Sequence, residues 1–206
     1  MNFFKKLFSV KSKPEKPLQD EERNSPPNLT LNHSNKEKVN LLYLSEQNNP
    51  YLTNLIQAHN SIDTLNYNLA VVWALSLMKK GNEMPSVFML ASFAEPIDAL
   101  EIRPYINVAL NDLSLKEIDG EDAILAVIRY YVMEIVIDNS LRKSLTELND
   151  LCNQYDHGYG LNPFYLLYYA WYDLDYGDDN YYYDGATLDN IESLVKKEAK
   201  EWLEKH

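Results

Sequence analysis

The sequence predicts an all-α protein: a single helical domain of about seven to eight helices with a flexible N-terminal tail. Three observations carry this. From about residue 40 onward apolar side chains recur with the period of a helix. The chain has only 6 glycines, too few for a turn-rich β-fold or a Gly-rich nucleotide-binding loop. Beyond the tail, its prolines fall where one apolar segment stops or the next one starts. A length of 206 residues suits one ordinary domain plus a tail. With 46% hydrophobic and 24% charged residues, collagen-like and wholly disordered chains are excluded.

The division falls at residues 1–38, a basic tail, and 39–206, an acidic domain. The tail carries eight basic and five acidic side chains, a net +3, and the rest carries eleven and 26, a net -15. Within the tail, Phe3, Phe4, Leu7, Phe8 and Val10 make a short helix-period apolar face beside Lys5 and Lys6. That face suits an interfacial anchor, its apolar side in lipid and its lysines drawn to anionic headgroups. It also suits a short helix that docks on its own domain or frays. As an anchor, Phe3, Phe4, Lys5, Lys6, Leu7 and Phe8 are the contact residues, and residues 1–10 contact a membrane surface weakly, because stable anchoring takes a second signal. Residues 11–38 hold Pro14, Pro17, Pro26 and Pro27 among Asn, Ser, Lys and Glu, with little to bury. Such a segment cannot offset its ordering entropy and is expected to be a flexible linker.

The domain reads as a series of helices. Val39 to Leu44 is a short apolar run without an obvious pairing partner. Pro50 breaks the chain before a helix from Tyr51 to His59, and a strongly apolar helix is expected from Ile62 to Lys80, with Gly81 as its stop. Pro85 suits the first turn of a short helix through Phe93. Pro96 and Pro104 punctuate the next stretch and leave a helix from Tyr105 to Leu113. The segment from Glu121 to Asp138 is apolar nearly all round, so it belongs at the centre of the core. Leu141 to Tyr155 is more polar. Asn162 reads as a cap and Pro163 as the first turn of a helix to about Leu174. The last helix starts at Thr187, with Leu188, Ile191, Val195, Ala199, Trp202 and Leu203 as its stripe and Glu192–Lys196 and Glu201–Lys205 as supporting pairs.

Ala70, Trp73 and Ala74 ahead of Lys80-Gly81, then Pro85-Ser86, Leu90-Ala91 and Ala109-Leu110 with Leu113, resemble a recurring pattern in uncharacterised bacterial all-helical proteins. The likeness spans about a fifth to a quarter of the chain, mostly at core and helix-boundary positions. It implies a helical fold and brings no activity and no catalytic residue.

The chemistry-bearing residues do not assemble a catalytic set. Asp173, Asp175, Asp178, Asp179 and Asp184 fail the calcium-loop frame, because Gly177 and Asn180 fall at positions that need other residue types. The 4 histidines lack metal-ligand spacing. Cys152 and His157 are near in sequence, yet a cysteine in a helix beside Leu151 reads as a small buried residue. The expectation is therefore no metal, no cofactor and no enzyme activity. One cysteine excludes an internal disulfide and fits a reducing compartment, the cytoplasm, with peripheral placement at the inner membrane face under the anchor reading. A net charge of -12 excludes nucleic acid held by phosphate neutralisation.

Tyrosine is the distinguishing feature. Ten of the 16 tyrosines lie between Tyr155 and Tyr183. On a helical wheel, Phe164, Leu167, Ala170, Trp171 and Leu174 share one arc, and Tyr165, Tyr168, Tyr169 and Tyr172 share the other, with Asp173 at its edge. Asp175, Tyr176, Asp178, Asp179 and the Tyr181-Tyr182-Tyr183 triplet follow at once. Either the segment after the helix folds over the tyrosines as half-buried filler, or the arc is a recognition face. In the second case Tyr165, Tyr168, Tyr169, Tyr172, Asp173, Asp175, Tyr176, Asp178 and Asp179 bind a basic protein. The expected function is a non-enzymatic bacterial binding protein that recognises or neutralises such a partner, most specifically a toxin-immunity protein or antitoxin. The alternative is a peripheral membrane adaptor tethered by its N-terminal segment.

Overall fold

The computed structural model describes residues 49–62, 65–177 and 179–206. Among the described residues there are eight α-helices and no strand: α1 Leu52–Gln57, α2 Asn68–Lys79, α3 Pro85–Ala91, α4 Ala99–Asp112, α5 Gly120–Val136, α6 Leu141–Gln154, α7 Asn162–Tyr176 and α8 Ile191–Lys205. The all-α class is as the periodicity predicts. The run from Val39 to Leu44 lies outside the described residues.

Local chemistry explains where the helices begin. Asn49 Oδ1 accepts the Tyr51 N–H at 3.0 Å and turns the chain into α1. Asn66 Oδ1 accepts the Asn68 N–H at 3.2 Å, so α2 starts at Asn68 rather than at Ile62. Asp98 caps α4, its carboxylate accepting from the Leu100 and Glu101 N–H groups. That cap starts the helix ahead of Pro104, whereas the proline spacing predicts a start after it. Pro104 sits in the helix at an exposed position, so the backbone hydrogen bond its missing N–H cannot donate is lost at the surface and not in the core. At α7 the cap position is Leu161, and Asn162 is the first helical residue. At α8, Asn190 Oδ1 accepts the Thr187 N–H at 2.8 Å, which holds residues 187–190 as a turn and delays the helix to Ile191. Leu188 is thereby left exposed instead of joining the buried stripe. Lys196 pairs with Asp138 at 2.8 Å rather than with Glu192, whereas Glu201 and Lys205 do pair, at 3.7 Å.

Packing follows chain order with one closure. Helices α1 to α4 pack each on the next, and α5, α6, α7 and α8 form a ring in which α8 returns to α5. Contact between α1 and α5 joins the two halves. At that junction Ala58, Ala123 and Ala126 are buried together, small enough to let the two backbones approach. Gln57 Nε2 donates to the Lys116 carbonyl at 2.7 Å, and the Ile118 N–H donates to the Gln57 carbonyl at 3.0 Å.

Helix α5 buries Val127, Ile128, Tyr130, Tyr131, Val132 and Ile135, with Glu134 only 3% exposed. The Glu134 carboxylate is satisfied by neutral donors: Asn49 Nδ2 at 2.7 Å and Asn139 Nδ2 at 2.6 Å. Asn49 Nδ2 also donates to the Tyr130 carbonyl at 3.0 Å, so one amide ties the segment leading into α1 to the middle of α5. A buried carboxylate without such donors would be strongly unfavourable.

The expected outcome of probing this core is a sharp contrast. Ile128→Ala, at a fully buried position in α5, should lower stability by about 2–5 kcal/mol. Leu100→Ala, at a position 80% exposed, should stay within about 0.5 kcal/mol. Urea unfolding of the two variants checks it.

Candidate functional site

Helix α7 opens with Pro163 in its first turn and ends at Gly177, whose left-handed φ of 76° stops the helix. Between them the two arcs separate in space. Phe164, Leu167, Ala170 and Trp171 are buried, and Leu174 packs half-buried against them. Opposite lie the tyrosines, and they divide into two layers.

The inner layer is Tyr165, Tyr168 and Tyr169, all half-buried, the first two packed against the core. Their rings touch in series: Tyr165 and Tyr169 have centroids 4.8 Å apart, Tyr168 and Tyr169 5.3 Å. The outer layer is Tyr172, 48% exposed, and Tyr176, 70% exposed, with centroids 4.7 Å apart. The hydrogen bond between their hydroxyls raises the Tyr172 phenol, and the burial of Tyr169 among Tyr165, Tyr168 and Tyr182 raises that one.

Asn180 shapes the segment after α7. Its Oδ1 accepts the Tyr182 N–H at 3.0 Å and the Tyr183 N–H at 3.1 Å, and its Nδ2 donates to the Tyr183 carbonyl at 2.6 Å. The turn sends three consecutive tyrosines in three directions. Tyr181 points into solvent, 84% exposed. Tyr182 stacks on Tyr169 at 5.2 Å while keeping its outer side exposed. Tyr183 turns inward and donates to Glu198 Oε1 at 2.7 Å. Burial, reinforced by that carboxylate, pushes the Tyr183 phenol up to about 12.

The acidic side chains are not equivalent. Asp175 accepts from Arg142 Nη2 at 2.6 Å, and the same guanidinium lies 4.4 Å over the Trp171 ring. Asp173 is half-buried and forms no ion pair among the described residues, and Asp179 is exposed near the Tyr181 hydroxyl, at 3.5 Å. Asp178 lies outside the described residues, as do Phe3, Phe4, Lys5, Lys6, Leu7 and Phe8.

The wheel thus places the tyrosines on the correct side of α7 but does not separate the two layers. The covering of Tyr169 by Tyr182 and the Arg142–Trp171–Asp175 contact depend on segments that a single helix cannot reveal. Cys152 and His157, near in sequence, do meet in space, Sγ to Nδ1 at 3.3 Å, although the sequence reads Cys152 as a small buried residue and not as half of a pair. The contact depends on the left-handed backbone of Asp156 and His157, which swings the imidazole back over the end of α6 and against Tyr165. Cys152 is fully buried and its thiol is pushed up by lost hydration, which is opposite to what an activated nucleophile needs. Among the described residues no cluster of His, Cys, Asp or Glu is arranged to hold a metal ion, and no helix is long and apolar enough to cross a membrane. Comparison of the chain with protein-family models, curated proteins and solved structures yields no match.

Tyr183 supplies a test of the inward turn. Its proton is held more tightly in the folded chain than in the unfolded one, so its contribution is complete below about pH 10 and is lost as pH rises toward about 12. Wild-type stability should therefore fall more steeply above about pH 10 than that of Tyr183→Phe. Melting temperatures of the two chains along an alkaline series measure the difference.

Proposed function

We propose that this chain is a non-enzymatic bacterial binding protein that recognises or neutralises a basic protein, most specifically as a toxin-immunity protein or antitoxin. The observation that carries the proposal is the exposed aromatic surface of the site: Tyr172 and Tyr176 of the outer layer, with Tyr181 and Tyr182 from the segment after α7, stay exposed on a domain of net charge -15, beside Asp173 and Asp179.

The physical division of labour is direct. The summed negative charge raises the rate at which a cationic partner meets the domain, an effect that salt weakens. The exposed rings hold the bound state, since tyrosine offers large contact area with few rotatable bonds and concentrates at interface hot spots. The inner layer supports this arrangement. With Tyr168 packed edge to face on Tyr169, Tyr165 tilted against it and Tyr182 stacked on it, part of the aromatic surface is ordered before any partner arrives.

The test pairs the purified full-length chain with basic proteins encoded beside its gene and measures affinity by calorimetry at low and moderate salt. Tyr172→Ala should leave stability within about 0.5 kcal/mol, because the side chain is half in water, and weaken binding by about 2 kcal/mol or more. Binding to none of these proteins, or a melting temperature strongly lowered by that single substitution, would contradict the proposal.

A further inference from the structure

Helix α7 already holds an arginine side chain from the chain itself. Trp171 and Asp175 stand one helical turn apart on α7, and between them they hold Arg142: its guanidinium covers the indole at 4.4 Å and donates to the carboxylate at 2.6 Å. The spacing is the reason the device works. Side chains at i and i+4 meet on a helix surface, so an aromatic face and a carboxylate are presented to the same planar cation.

Helix α7 repeats this spacing on its opposite flank. Asp173 follows Tyr169 by one turn just as Asp175 follows Trp171, and Asp173 is three residues from Tyr176 on the same face. Tyr182 covers Tyr169, so the aromatic surface left open beside Asp173 belongs to the Tyr172–Tyr176 pair. No lysine or arginine occurs between Asn162 and Asn190, and Asp173 has no ion pair among the described residues. This second arrangement has the aromatic face and the carboxylate but, among the described residues, no resident cation.

Resting on the basic-partner proposal and sharpening it, we infer that this face reads arginine rather than positive charge in general. A partner guanidinium lies over the Tyr172–Tyr176 pair and donates to Asp173. Lysine cannot replace it on equal terms. Its ammonium is a compact, strongly hydrated charge that has no plane to lay on a ring and no fork to offer a carboxylate.

The experiment titrates the full-length chain with an arginine-rich peptide and with its lysine-for-arginine counterpart, equal in length and charge, by calorimetry. The arginine peptide should bind roughly tenfold more tightly. Tyr172→Ala and Asp173→Asn should each abolish most of that preference, while circular dichroism confirms an unchanged fold. Equal affinity for the two peptides would overturn the inference and leave the basic-partner proposal standing. Binding of neither would overturn both. A preference that survives both substitutions would overturn the assignment to this face.

Discussion

The burial of α5 is the constraint on which the rest of the fold depends. A helix with apolar side chains on nearly every face can be covered only if neighbours approach from several directions. The chain meets this by closing α5 to α8 into a ring and by laying α1 against α5 from the other half. Polar groups on such a helix must find donors inside the protein. Glu134 does so through Asn49 and Asn139, one before α1 and one after α5, so segments far apart in sequence share a single carboxylate. Other helices keep a bare side, and on α7 that side is aromatic.

Tyrosine plays three physical parts in this chain. In α5, Tyr130 and Tyr131 are core residues whose rings meet edge to face at 5.3 Å. Burial, together with Glu147, raises the Tyr131 phenol further. In the inner layer of α7 the same residue type fills space between core and surface. In the outer layer it remains in water, where an amphipathic ring is tolerated and available for contact. The three environments differ in what covers the ring, and what covers it comes from other helices.

That difference sets what could be read from the sequence. Periodicity locates every helix found among the described residues and the central place of α5, because apolar spacing and burial are two expressions of one geometry. Boundaries fail where a local side chain outweighs the pattern. Asp98 starts α4 despite Pro104, and Asn190 defers α8 past Leu188. Within the site, the wheel assigns Tyr165 and Tyr172 to one arc, and only the structure shows one packed on the core and the other in solvent. Arg142 is absent from any reading of α7, because its side chain arrives from α6. Contacts between elements are where single-sequence reasoning loses its grip, since no local spacing encodes them.

The central claim is that the outer tyrosine layer of α7, with Asp173, is the surface through which this domain engages cations. Nuclear magnetic resonance of the full-length chain with labelled tyrosine rings, titrated with an arginine-rich peptide, tests it most directly. The account predicts that the Tyr172, Tyr176 and Tyr182 rings shift progressively with added peptide, while the buried Tyr131 and the inward-turned Tyr183 stay in place. Shifts spread over acidic residues elsewhere on the domain, with those three rings unmoved, would contradict it.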